Sequence, residues 1–158
     1  MTNADNAYAL LSKKIGESEG TGDWFLVDQD RINAFAETTE DRQFIHVDPE
    51  QCAQLSPWGV PIAHGFLTLS LLTPLAASVP SDPAVYEGIL MGVNYGFEKV
   101  RFVAPVKVGS KIRATSVVAA VEQKDASTLQ VTKTYTVEIE GEGKPALVAD
   151  WITRLVYS

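Results

Sequence analysis

The apolar residues follow two periods, and the change comes near residue 86. Before it the pattern is helical. Ala4 to Lys14 predicts a short helix that ends at Gly16, and DWFLV (23–27) predicts a first short strand. Asp28 or Asp30 then caps a helix through RINAFAETT, which sets Ile32 and Phe35 on one side. Asp48-Pro49-Glu50 starts another: Asp as cap, Pro at the first helical position, an acid in the first turn. SPWGVP (56–61) stops that helix. From Gly65 to Val79 the chain is apolar nearly all round, so a helix there belongs inside other elements; Pro74 kinks it or removes one backbone bond.

After residue 86 the period shortens to two. Gly88 to Phe102, Lys111 to Glu122, Thr128 to Glu140 and Ala146 to Tyr157 each fit a strand or a bulged strand. The third is clearest. Leu129, Val131, Tyr135, Val137 and Ile139 face one way, Gln130, Thr132, Thr134, Thr136 and Glu138 the other, and Lys133 breaks the alternation. QKDAS and EGEGKP read as hairpin loops. The expected fold is α+β: a curved antiparallel sheet wrapped around a long buried central helix, in a single domain spanning 1–158. Residues 1–20 form an N-terminal extension without an assignable role.

Composition narrows the partners. At 158 residues, 46% hydrophobic and 21% charged, the chain has enough apolar material for one ordinary core. A net charge of -7 disfavours nucleic acid and anionic membranes. The longest apolar stretch, FLTLSLLTPLAASV (66–79), is too short to span a bilayer, and the N-terminus lacks a basic segment followed by an apolar run. The single cysteine, Cys52, permits no intrachain disulfide and reads as a small buried side chain. A soluble cytoplasmic protein is expected.

The candidate chemistry starts in EDRQFIHVDPE (40–50), where Asp41 and His46 stand five residues apart ahead of a helix start. An imidazole titrates near neutrality, and a carboxylate can orient it or share its water. The plainer alternative is that Asp41 satisfies turn donors and His46 packs at the helix entrance. The only other histidine, His64, precedes Gly65 in PIAHGF. If a helix starts there, its first N–H groups lack partners, and Gly65 lets a carbonyl oxygen approach closely, as in an oxyanion hole. Close helix packing is the alternative role for that glycine. From Lys99 to Val121 come Lys99, Arg101, Lys107, Lys111 and Arg113 with no acid, which suits either an anion such as a phosphate-bearing carrier or an ordinary solvated strand face. No GxSxG elbow, phosphate loop or Cys/His metal spacing occurs, which leaves acid–base chemistry without metal or separate cofactor.

DRQFIHVDPE, then PIAHGFLTLSLL, then NYGFEKVRFVAPVKVGSKI, in that order, resemble the MaoC-like dehydratase family, the (R)-specific enoyl-CoA hydratases of the hot-dog fold, and within it the single-domain NodN-like branch. The resemblance covers about residues 20 to 157. It implies that Asp41 and His46 are catalytic and that the Gly65 N–H binds the thioester oxygen. Gln43 takes the place of a water-positioning amide, while Glu40 and Phe44 depart from the family's Gly and Pro. The implied reaction is addition of water to a trans-2-enoyl-CoA to give an (R)-3-hydroxyacyl-CoA, a step of fatty acid metabolism. Coenzyme A is part of the substrate, so no cofactor is implied. The resemblance further implies a homodimer with the acyl tunnel near its interface. It places His64, Asn94, Tyr95 and Gly96 at the pocket or interface, and Lys99 and Arg101 near the phosphates. An acyl-CoA thioesterase of the same fold and a non-catalytic acyl-CoA-binding subunit stay open as alternatives.

Overall fold

The computed structural model describes residues 1–158. Helix α1 (Asn3–Ser12) leads into β1 (Ser18–Thr21) and β2 (Phe25–Val27). Four helices follow: α2 (Gln29–Thr39), the single turn α3 (Phe44–Val47), α4 (Pro49–Leu55), and the broken pair α5 (Gly65–Ser70) and α6 (Leu72–Ala77), which counts as one central helix. A 3-10 turn over Pro83–Tyr86 precedes β3 (Ile89–Phe102), β4 (Ser110–Gln123), β5 (Thr128–Ile139) and β6 (Leu147–Tyr157). The sheet is antiparallel in the order β1-β4-β5-β6-β3, with β2 also pairing β4. Bulges at Asn94/Gly96 and Glu98/Arg101 in β3, and at Val118/Ala120 in β4, bend it around the helices.

The period-two reading of β5 holds at every position named for the inner face. Leu129, Val131, Tyr135, Val137 and Ile139 are all buried. Lys133 lies at the break in that series because it has a partner: Nζ stands 2.8 Å from a carboxylate oxygen of Glu19, which also accepts from Ser116 Oγ at 2.6 Å. Glu19 belongs to β1, a strand with no apolar residue and therefore none of the pattern that reveals the others.

The central helix lies on the sheet and buries one stripe, Leu67, Leu71, Leu72, Leu75 and Val79. Its opposite side, including Phe66 at 69% exposure, is open within the single chain. The break falls at Leu71, next to Ser70, whose carbonyl receives no N–H from Pro74 four residues on. Ser70 Oγ turns back onto the Phe66 carbonyl at 2.7 Å.

The first twenty residues are part of the fold. Thr2 and Asp5 form a reciprocal capping box at the start of α1, with bonds of 3.1 and 2.8 Å. Ala4, Ala7 and Leu11 pack with Val85, Val118 and Leu129 in a second core over the far part of the sheet. Helix α1 stops at Ser12, short of Lys14, and β2 starts at Phe25 because Asp23 donates its N–H to Ser78 Oγ instead of a ladder.

Candidate active site

The loop after α2 is shaped by its ends. Asp28, not Asp30, caps α2 by accepting from the Arg31 N–H at 2.9 Å. The helix closes on Glu40 in the left-handed region (φ 62°), where the family pattern carries glycine; this turn reverses the chain and presents Asp41. Single-turn α3 then carries His46, and Asp48 ends it by capping α4 through the Gln51 N–H at 2.9 Å. Gln29 of α2 donates to the His46 carbonyl at 2.8 Å, so the turn that holds the imidazole is braced from behind.

His46 is 6% exposed, and its Nδ1 meets the Ile62 carbonyl at 2.7 Å. A carbonyl only accepts, so Nδ1 carries the proton and Nε2 keeps its lone pair. That lone pair faces Asp41 Oδ2 across 3.9 Å. The gap is too long for a direct hydrogen bond, but a water about 2.8 Å from each atom fits it. Burial lowers the His46 pKa below its ordinary value of 6.5; the Ile62 carbonyl and Asp41 oppose that shift, and His64 adds to it. The balance leaves a free-base imidazole at neutral pH, the form that takes a proton from water.

His64 is 2% exposed. Its Nε2 donates to the backbone carbonyl of Asp41 at 2.9 Å, and its ring stacks on His46 at 3.8 Å between centroids. Phe35 covers the other side at 4.9 Å. Enclosed in this way, the ring presents no edge to a substrate, so direct substrate contact by the His64 side chain is replaced by contact with Asp41 and His46. The segment leading into it is tied on both sides, by Ile62 N–H to the Ile45 carbonyl at 2.9 Å and Ala63 N–H to the Val106 carbonyl at 2.8 Å.

Gly65 opens α5, and no side chain caps that helix. Its first N–H groups are therefore without helical partners. A Cβ on Gly65 would stand 3.1 Å from three atoms of the Phe102 ring, so any larger residue would have to displace that ring. Beside Gly65 and Thr68 lies an apolar cavity of about 330 Å³, walled by Trp58, Phe102, Pro105 and Ala146.

Asp41, His46 and His64 offer ligand atoms within 4.8 Å of one another. The two rings stack at an interplanar angle of 23°, so their lone pairs run in nearly parallel planes instead of converging, and one nitrogen of each ring is bonded to a carbonyl. This arrangement suits proton transfer better than metal chelation.

The remaining candidates are scattered. Gln43 is exposed at the start of α3, where its carbonyl accepts from the His46 N–H at 3.0 Å. Asn94, Tyr95 and Gly96 lie on β3: Asn94 accepts from Trp151 Nε1 at 2.9 Å, Tyr95 lies 3.9 Å beneath the Arg154 guanidinium, and Gly96 falls at a bulge. Lys99 (φ 53°) points its amine toward Asp150 at 3.7 Å, and Arg101 is exposed on the same strand. The basic run does not form one patch. Lys99 and Arg101 sit on β3, while Lys111 and Arg113 sit on β4, with β5 and β6 between them in the sheet. Arg113 is already paired with Glu138 and lies over Trp24.

A family model described as "MaoC like domain" matches residues 11–140. The chain is 49% identical over 149 residues to Nodulation protein N of Rhizobium leguminosarum, covering 94% of this chain and 91% of that one. It is 47% identical over 148 residues to 3-hydroxyacyl-thioester dehydratase Z of Mycobacterium tuberculosis, covering 94% and 95%. Among solved structures, the unliganded R-hydratase PhaJ1 of Pseudomonas aeruginosa superposes with a TM-score of 0.72 at 22% identity, over 96% of this chain and 86% of that one, and so shares its hot-dog fold. With the family model spanning most of the sequence, this chain belongs to the MaoC-like dehydratase family.

Proposed function

We propose that the protein hydrates trans-2-enoyl thioesters of coenzyme A to (R)-3-hydroxyacyl thioesters, reversibly. The observation that carries this reading is the 3.9 Å separation of His46 Nε2 and Asp41 Oδ2, with a buried free-base imidazole on one side. The name of the dehydratase relative supports the substrate class, and the family resemblance supports the (R) face.

The chemistry follows from the residues. Water sits between His46 and Asp41. His46 Nε2 takes one of its protons as the oxygen bonds to the β-carbon. The electron pair of the double bond moves onto the thioester oxygen, where the Gly65 N–H and the positive end of α5 stabilise the enolate. The enolate then collapses and takes a proton at the α-carbon from the imidazolium by way of the Asp41 carboxyl, on the same face. Both groups return to their starting states, and one water has been added. No separate cofactor enters these steps.

The apolar cavity beside Gly65 offers a place for acyl carbons. Strand β3 pairs only with β6, so its outer edge is free and carries exposed Leu90, Met91, Val93 and Tyr95. A free apolar edge of this kind is a template for pairing, and we read it as the homodimer interface. Lys99 and Arg101, exposed on the same strand, are the proposed phosphate contacts. A coenzyme A substrate and a lone buried thiol at Cys52 fit the cytoplasm.

The test follows enoyl absorbance and free thiol together after adding crotonyl-CoA. Loss of absorbance without thiol supports hydration. Thiol release from saturated acyl-CoA at a comparable rate contradicts it and points to a thioesterase. Binding without turnover points to an acyl-CoA-binding subunit.

A further inference from the structure

One buried polar atom in the site has no use in the steps above. Nδ1 of His64 is enclosed and has no hydrogen-bond partner, although an unpaired buried nitrogen is costly. The rest of the ring is committed. Nε2 donates to the Asp41 carbonyl at 2.9 Å, one face stacks on His46 at 3.8 Å, and Phe35 lies 4.9 Å away. A phenylalanine would fill the same space without the orphaned nitrogen. The ring is polar for what Nε2 does, and Nε2 does one thing: it holds the main chain of the residue whose carboxylate faces His46.

We propose that His64 is the positioning residue of the Asp41–His46 pair, fixing the Asp41 backbone by its Nε2–H and the His46 ring by stacking, so that one water spans Asp41 and His46. Two restraints then meet in one ring. Asp41 lies in a loop with a half-exposed side chain, and the only bond to that carboxylate within the chain is a long one, 3.4 Å from the Gln43 N–H. The His64 bond supplies the restraint that the loop lacks. His46 is held along its edge by Ile62 and on its face by His64. The titratable groups that act on His46 are Asp41 from the loop after α2 and His64 from the segment before α5; α2 contributes Gln29 and Phe35, and neither titrates.

This role rests on the hydration reading for its effect on rate, but the geometry can be tested apart from it. The chain holds two histidines, so nitrogen-15 NMR of the imidazoles gives two rings to assign, and His64→Phe leaves one. In the unmodified protein His64 is expected as the Nε2–H tautomer and His46 as Nδ1–H. In His64→Phe the His46 titration midpoint is expected to rise, because the His64 contribution that lowers it is removed. On crotonyl-CoA, kcat is expected to fall about tenfold to a hundredfold with KM changed less than about threefold, as misplacement of reacting groups gives. His64→Asn, which keeps an amide N–H near the Asp41 carbonyl, is expected to recover part of kcat. A Nδ1–H tautomer for His64 overturns the proposal. So does a folded His64→Phe protein whose His46 midpoint and kcat match the unmodified chain. If the tautomers and the His46 shift appear but no enoyl thioester turns over, positioning stands and the hydratase reading fails.

Discussion

His46 Nδ1 and the Ile62 carbonyl, 2.7 Å apart, settle which nitrogen of the His46 ring is free. Ile62 is itself held by the Ile45 carbonyl, one residue ahead of His46, so α3 and the strand-like segment before α5 grip each other on both sides of the imidazole. The orientation of one side chain thus follows from the packing of two short segments that are far apart in most sequence patterns.

Replacing either member of the pair separates chemistry from stability. Asp41→Asn and His46→Gln should each lower kcat by about a hundredfold to ten-thousandfold, the usual span for losing a general acid or base. Asp41 has a half-exposed side chain, so its variant should melt within a degree or two of the unmodified protein, as surface changes of under ~0.5 kcal/mol give. His46→Gln loses the bond to Ile62 and should be destabilised by about 1 kcal/mol. Steady-state kinetics and thermal melts of the same samples check both halves.

The acid limb of activity should lie low. Burial lowers the His46 pKa, so the imidazole stays a free base further below neutrality than an exposed one. A plot of kcat/KM against pH should show its acid limb below 6.5. Stability carries the same sign. Unfolded, the ring takes up a proton near 6.5; folded, it resists until a lower pH. The stabilising contribution of the neutral ring is whole above 6.5 and shrinks as pH falls below it. Melting temperature should therefore drop less steeply between pH 7 and pH 5 in His46→Gln than in the unmodified protein.

Gly65→Ala should slow the enzyme with little loss of stability. The new methyl would meet the Phe102 ring at 3.1 Å, and because Phe102 is half exposed the ring can swing outward. That swing disturbs the proposed oxyanion donors and the cavity wall together. A tenfold to hundredfold loss in kcat is expected, near the loss for one misaligned oxyanion donor. Phe102→Ala in the same chain should relieve the contact, so the two changes should be non-additive in a double-mutant cycle.

The ion pair under the sheet should prove costly to break from one side only. Lys133→Met leaves the Glu19 carboxylate, 8% exposed, without its cation, and should destabilise by about 3 kcal/mol. Lys133→Met with Glu19→Gln should recover most of that. Denaturant melts of the single and double variants make the comparison.

Most of the architecture was legible because long elements impose a period. The four long strands and α2 fall within a residue or two of where apolar spacing and capping place them, and Asp41, His46 and Gly65 were visible as residue types in a recognisable order. Other features were not, for reasons of distance. Lys133 announced itself as a break in alternation, but its partner lies 114 residues away on a strand with no apolar signal. The run from Lys99 to Arg113 suited either an anion contact or a solvated strand face until the sheet order put β3 and β4 on opposite sides of β5 and β6. The family resemblance placed His64 at the pocket or interface. Only its hydrogen bond to Asp41, across 23 residues, and its stack on His46 show what the ring touches. The apolar run of the central helix signalled burial on all sides, and within one chain the sheet covers only one of them.

The most direct measurement is the chirality of the product formed from crotonyl-CoA by the unmodified protein, read with (R)- and (S)-specific 3-hydroxyacyl-CoA dehydrogenases in parallel and repeated with His46→Gln. The account predicts reduced nicotinamide only with the (R)-specific enzyme, at a rate that His46→Gln lowers at least about a hundredfold. An (S) product, or an (R) product formed as fast by His46→Gln, contradicts it.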